Sequence, residues 1–119
     1  MSVESLIEYL NRRASGYHRA TVRYEGDNTD IIYLRDDVRE TRLSSQIDRM
    51  LRRLRPEASP KEENAFPLGD LHATVRRFDE AIILHFPTGT DRGVVVSLDP
   101  DTARDLNTFL GECAKRIHG

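Results

Sequence analysis

Apolar residues recur along the chain with two different spacings, and these spacings predict three helices and five strands. Spacings of three and four residues, typical of one face of a helix, occur in 3–14, 43–54 and 106–117. Alternating or short continuous apolar runs, typical of strands, occupy 19–25, 31–34, 71–76, 81–86 and 94–98. The predicted order is α-β-β-α-β-β-β-α. Because the links between successive strands are short, we expect an α+β fold with a five-stranded antiparallel sheet and packed helices.

The residues at the predicted ends of the helices are suited to those positions. Asp36 and Asp37 can cap the second helix, and the residue before Pro56 is disfavoured in helical geometry and should end it. Asp99 can cap the last helix, with Pro100 at its first position, where the missing amide hydrogen costs nothing.

The apolar runs also predict how deeply the strands are buried. Ile31–Leu34 is apolar throughout, which predicts a more buried strand than the alternating one before it. Ile82–Leu84 and Val94–Val96 are apolar on both faces, which predicts a sheet covered on both sides. The segment 87–93 is predicted to be a longer loop that connects the last two strands as a hairpin.

The length of the chain indicates one domain. A chain of 119 residues is large enough for a single modest core and too small for two, so we expect one domain over 1–119. The polar, proline-containing segment 56–69 is predicted to be an internal connector, since neither half of the chain could fold alone.

The predicted order resembles that of roadblock and other profilin-like domains, in which one sheet carries helices packed against it. Separately, Tyr33–Val38, His85–Pro87 and Arg92–Asp99 are similar to segments of a family of small uncharacterised haloarchaeal proteins. Profilin-like domains commonly pair through an edge strand or a helix, so the first resemblance implies a homodimer. Neither resemblance implies a catalytic residue.

Composition narrows the class of protein. The hydrophobic fraction of 38% and the charged fraction of 32% are typical of a small domain with much surface. The lone cysteine, Cys113, excludes an intramolecular disulfide. Apolar runs are far shorter than the ~20 residues needed to span a bilayer, and the N-terminus lacks a signal-peptide pattern. We therefore expect a soluble cytoplasmic protein.

Arginine is concentrated in the second predicted helix. Sixteen of the eighteen cationic residues are Arg, and six of them lie between Arg39 and Arg55. Such a helix would present a basic face about four turns long. Guanidinium groups bind carboxylates and phosphates through paired donors, so this face is the candidate contact site. Five arginines fall opposite the apolar stripe on a helical wheel: Arg39, Arg42, Arg49, Arg52 and Arg53.

Three interpretations of the basic face stay open. It could be a solvated surface whose guanidinium groups pair with nearby carboxylates. It could contact an acidic surface of a protein partner. It could also contact the phosphates of nucleic acid. Nucleic-acid-binding domains typically have a pI above ~9. This chain has a pI of 6.1 and a net charge of −2, so its overall charge is not typical of that class.

No residue pattern predicts catalysis, a metal or a cofactor. His18, His72, His85 and His118 are dispersed, and no cysteine lies near one in sequence. His72 and His85 could face each other across paired strands, but two ligands are too few for a zinc site. Cys113 lies on the apolar stripe of the last helix, so we expect a buried and inert thiol.

These observations favour a non-catalytic protein-interaction or regulatory domain. We expect it to be homodimeric and to offer its basic helix face to an acidic protein partner. The alternative is a nucleic-acid-associated protein that contacts phosphates through the Arg39–Arg55 helix. Neither function requires a cofactor or a membrane, and an enzyme is a more distant third possibility.

Overall fold

The computed structural model describes residues 3–14, 16–39, 43–58, 67–105 and 112–116. The strands are β1 (His18–Glu25), β2 (Asn28–Leu34), β3 (Thr74–Arg77), β4 (Ile82–Gly89) and β5 (Arg92–Leu98). The helices are α1 (Val3–Arg13), α2 (Asp36–Arg39) and α3 (Leu43–Leu54), with 3₁₀ turns at Arg55–Ala58 and Pro100–Ala103 and a helical segment at 112–116.

All five strands belong to one open antiparallel sheet in the order β2-β1-β5-β4-β3. This confirms the predicted α+β class and the five-stranded antiparallel sheet with packed helices. The third strand begins later than predicted, at Thr74, so 71–73 have no regular structure. The order places β5 at the centre with β1 and β4 beside it, and it pairs β1 with β5 although they are far apart in sequence.

Two tight hairpin turns lie close together at one end of the β1–β5 pair. Residues 26–27 connect β1 to β2, and Gly26 has a φ of +57°, which glycine adopts readily. Thr90 and Asp91 connect β4 to β5, so the longer loop expected at 87–93 is wrong: strand pairing continues to Gly89 and resumes at Arg92. The Gly26 amide donates a hydrogen bond to the Asp91 carbonyl, 2.9 Å away, which ties the two turns together.

Alternate residues of β5 contribute to two separate apolar cores on opposite faces of the sheet. Val95 faces α3 and packs with Val22, Leu51 and Leu54. Val94 and Val96 face α1, and the other buried members of that core are Leu10, Ala14 and Leu98. The apolar runs of the central strands are therefore covered on both faces, as their sequences predict.

The second strand occupies an edge of the sheet, and the prediction that it would be more buried than β1 is wrong. The side chains of Ile31 and Ile32 are 49% and 37% exposed, whereas β1 is buried at Ala20, Val22 and Tyr24. An edge strand pairs on one side only, so its apolar side chains have fewer neighbours than those of a central strand. An apolar sequence does not by itself show which position a strand takes in the sheet.

The helices differ in two respects from the expected ones. The second predicted helix is described as two elements, α2 and α3, with 40–42 outside the described residues. Helix α3 ends at Leu54, two residues before Pro56, so it ends near this proline as predicted. A 3₁₀ turn, Arg55–Ala58, follows it directly. In the last predicted helix, 106–111 and 117 lie outside the described residues.

Arg35 clamps the end of the sheet opposite the two hairpin turns. Its Nη1 and Nη2 donate to the two Asp99 carboxylate oxygens at 2.6 and 3.1 Å, and its Nη1 also donates to the Gly16 carbonyl at 2.7 Å. Its Nε donates to Asp37 at 2.6 Å, and this contact lowers the pKa of the Asp37 carboxyl. Asp99 occupies the N-cap position of the following 3₁₀ turn, but its side chain makes no capping hydrogen bond. The capping expected of Asp99 is replaced by the ion pair.

A buried tyrosine–histidine pair lies beneath α3. The Tyr24 hydroxyl is 2.7 Å from His85 Nε2, and both side chains are about 1% exposed. The guanidinium carbon of Arg55 lies 5.4 Å from the centre of the Tyr24 ring, which packs the 3₁₀ turn after α3 against β1. Gly93 leaves room for this arrangement, because a Cβ there would lie 2.8 Å from the Tyr24 hydroxyl oxygen.

Tyr24→Phe should lower the free energy of unfolding by about 1–3 kcal/mol, because it removes a hydrogen-bond partner from the buried His85. Tyr9→Phe is the matched control, since Tyr9 is half exposed and its change should stay within about 0.5 kcal/mol. Urea denaturation of the two variants and the unchanged chain measures both values. Equal effects of the two substitutions would contradict the assigned role of the buried pair.

Candidate functional site

Helix α3 separates its apolar and cationic side chains onto different faces. Leu51 and Leu54 are buried against the sheet, with Ile47 and Met50 packed beside them. The remaining face of the helix is exposed and carries Arg49, Arg52 and Arg53. None of these three arginines forms an ion pair with another described residue.

Two of these arginines line a groove together with a third arginine from the sheet. Arg49 and Arg53 of α3 and Arg76 of β3 border a space of about 420 Å³. No acidic side chain is among the described residues that line it. We call this space the arginine groove, and its other described lining residues are Gln46, Met50 and Phe78.

The position of Arg76 follows from the register of the β3–β4 hairpin. Arg76 pairs with Ile83, and directly paired residues point to the same face of a sheet. Ile83 belongs to the core beneath α3, so Arg76 lies on the α3 face. The sequence interpretation missed Arg76, although the short link 78–81 fixes this register and could have revealed it.

Only part of the predicted basic face can be placed. Arg49, Arg52 and Arg53 are exposed on α3 as expected. Arg42 lies outside the described residues, and the side chain of Arg39 is likewise not described. Arg55, at the end of the arginine-rich segment, packs over Tyr24 and does not join the exposed face. The described contact surface is therefore narrower than the predicted face.

The paired donors of three guanidinium groups suit carboxylates or phosphates. Comparison with known proteins identifies the family of this chain but not its ligand. The family model described as "Domain of unknown function (DUF7522)" matches residues 4–118. The chain belongs to the DUF7522 family. No curated protein and no solved structure matches it.

The histidines of this DUF7522 chain do not form the expected cross-strand pair. Thr74 is the residue paired with His85, and His72 precedes β3 on an exposed stretch. His85 is bonded to Tyr24 in the core. Within the described ranges, no group of three or more His, Cys, Asp or Glu side chains could hold a metal ion. Cys113 has a free thiol that is half-buried, not fully buried as predicted.

None of the helices in the described part of the DUF7522 chain has the length and apolarity needed to cross a lipid bilayer. The described helices are instead short, and α1 and α3 each have one apolar face that packs on the sheet.

His18 is a buried histidine whose surroundings change its acidity. Its ring stacks on Tyr33 with centroids 4.1 Å apart, and its Nε2 lies 2.5 Å from the Thr21 hydroxyl oxygen. Burial lowers the pKa of His18 below the ordinary 6.5, a backbone contact with Ala20 acts in the opposite direction, and the charge of Arg35 lowers it again. The folded DUF7522 domain therefore favours the neutral imidazole.

The lowered pKa of His18 predicts that mildly acidic pH destabilises the fold. The unfolded chain binds a proton at His18 near pH 6.5, whereas the folded chain resists it, so the free energy of unfolding falls as pH drops below 6.5. The lowered pKa of Asp37 acts in a separate window, below its ordinary value of 3.8.

His18→Gln should reduce the loss of stability between about pH 7 and pH 5, because the group that takes up the proton is gone. His72→Gln is the matched control, since it makes the same substitution at an exposed histidine. Urea denaturation at several pH values measures the slopes. A wild-type slope retained in His18→Gln would show that another group is responsible.

Proposed function

We propose that this DUF7522 domain is a non-catalytic protein-interaction or regulatory domain of the cytoplasm whose arginine groove binds an acidic segment of a partner protein. The observation that carries the proposal is the convergence of Arg49, Arg53 and Arg76 on one groove. They come from two elements, α3 and β3, and no described acidic residue lines the space between them. A surface of this kind complements a carboxylate-rich ligand.

The lining of the groove favours a protein segment over nucleic acid. Met50 and Phe78 lie beside the arginines and would contact an apolar side chain of a peptide. Nucleic acid is a long polyanion, whose binding is governed by the number of phosphates neutralised. The chain has a net charge of −2, so its other surfaces would on balance repel such a polymer.

We further propose that the domain has an architecture similar to that of roadblock and profilin-like domains. The open sheet with α1 and α3 on opposite faces supports this similarity. We also propose an archaeal origin for the chain. The segments 33–38, 85–87 and 92–99 support it, because they are similar to segments of small haloarchaeal proteins. A crystal structure of another DUF7522 member with a different arrangement of helices around the sheet would contradict the architectural part of the proposal.

Arg49→Gln combined with Arg53→Gln should weaken binding of an acidic peptide by about tenfold or more, because two paired-donor contacts are lost. The probe is a fluorescein-labelled peptide of alternating Glu and Asp around one Leu. Fluorescence anisotropy at low salt measures its affinity. Arg12→Gln combined with Arg104→Gln is the control, since it removes the same charge from exposed arginines outside the groove.

A single-stranded oligonucleotide with the same charge as the peptide separates the two candidate ligands. Tighter binding of the oligonucleotide, falling steeply with salt, would favour the nucleic-acid alternative. Failure of both probes to bind, or equal losses in the groove and control variants, would reject the arginine groove as a contact site. Affinity purification from the native host, with nuclease treatment, then identifies the partner.

We also propose that the domain self-associates through β2. This edge strand exposes Ile31 and Ile32 and has neither Lys nor Pro, the residues that commonly prevent pairing at sheet edges. The other edge, β3, has only four residues, and Arg76 and Arg77 are two of them. Two copies that pair through β2 would form a symmetric dimer and cover both isoleucines.

Ile31→Lys should convert the dimer to a monomer, because it places a charge in the proposed apolar interface. Val75→Lys is the matched control, since Val75 is similarly exposed on the opposite edge strand. Size-exclusion chromatography with light scattering at several concentrations measures the mass of each form. A strictly monomeric wild-type chain at high concentration would refute self-association, and equal loss in both variants would refute β2 as the interface.

A further inference from the structure

A second opening lies between α3 and the sheet, on the side of the helix that faces the strands. It is a cavity of about 260 Å³ that is partly open to solvent. This volume exceeds the ~150 Å³ of an engineered apolar cavity that holds benzene. We call it the apolar cavity because most of its described lining is hydrocarbon, including Val22, Ile47, Met50, Leu51, Ile83 and Val95.

Polar residues also line the cavity, and two of them contact each other. Arg19 and Ser97 both line the cavity, and Arg19 Nη1 donates a hydrogen bond to the Ser97 hydroxyl at 2.8 Å. The Arg19 side chain is only 26% exposed, so its guanidinium is partly withdrawn from water. The remaining polar residues of the described wall are Gln46 and Glu80.

The Arg19 guanidinium keeps donors for a further acceptor. Asp99 is the nearest described carboxylate, but Arg19 Nε is 3.8 Å from it, beyond hydrogen-bond distance. Both Asp99 oxygens instead accept shorter hydrogen bonds from Arg35. Arg19 Nη2 makes no hydrogen bond with any described residue. A partly buried guanidinium with a free donor beside a hydrocarbon wall is suited to an amphipathic anion.

We propose that the apolar cavity binds a medium-chain carboxylate. The hydrocarbon chain lies between α3 and the strands, where it removes apolar surface from water. The carboxylate accepts hydrogen bonds from Arg19 and Ser97. This site adjoins the arginine groove, with which it shares Gln46, Met50 and Phe78, but the proposal does not depend on the function proposed for the groove.

Octanoate titrated into protein with ¹³C-labelled isoleucine methyl groups tests the proposal. The methyl signals of Ile47 and Ile83, which line the cavity, should shift and saturate. The signals of Ile31 and Ile32, exposed on β2, should stay unchanged and provide an internal control. Absence of a saturable shift below the micelle concentration of octanoate, or equal shifts at all four residues, would overturn the proposal.

Two variants then test where the carboxylate and the hydrocarbon chain of the ligand bind. Arg19→Gln should weaken octanoate binding by about tenfold and leave 1-octanol binding unchanged, because only the carboxylate uses the guanidinium charge. Ala81→Leu, which places a larger side chain on the cavity wall, should abolish binding of both ligands. Equal octanoate affinity in Arg19→Gln and wild type would refute the carboxylate position. Should Ala81→Leu not fold, the methyl shifts of the wild-type protein still decide whether the cavity is occupied.

Discussion

The pairing of β1 with β5 is the constraint on which the rest of the structure depends. It joins the β1–β2 hairpin to the β3–β4–β5 meander, and among the described strands no other pair crosses between the two halves. Hydrogen bonds close both ends of this pair: the Gly26 amide donates to Asp91, and the Asp99 amide donates to Tyr17. The ion pair between Arg35 and the Asp99 carboxylate adds to the contacts at the second of these ends. Because β5 contributes to both apolar cores and β1 contributes to the core beneath α3, losing the register of this pair would disrupt both layers of helices at once.

The same constraint determines where the candidate sites lie. Leu51 and Leu54 hold α3 against the buried face of β1 and β5, so its arginines must face away from the sheet. The register of β4 with β3 then brings Arg76 to the outer side of the helix and completes the arginine groove. The apolar cavity forms on the inner side, where the helix does not reach the strands completely. Both sites are therefore consequences of how one amphipathic helix is placed.

Within the described residues, local patterns predict most of the helices and strands, but not the features that depend on strand order. Ile31–Leu34 is apolar enough for a central strand, and only the pairing of β1 with β5 leaves it at an edge. Asp99 was a plausible cap by its position before Pro100, yet its partner Arg35 is 64 positions away and no local pattern connects them. The exposed arginines of α3 could be predicted, because the periodicity of a single helix separates its two faces.

The two candidate sites share part of their walls, so a ligand bound at one site can change the affinity of the other. Gln46, Met50 and Phe78 line both the arginine groove and the apolar cavity. A ligand that displaces Met50 from one side changes the space available on the other, and any effect on affinity must be reciprocal. If both proposals hold, an acidic partner would bind differently to the filled and the empty domain, and a binding cycle with the peptide and octanoate measures that difference. Independent affinities would mean that this shared wall is rigid and that α3 serves two unconnected surfaces.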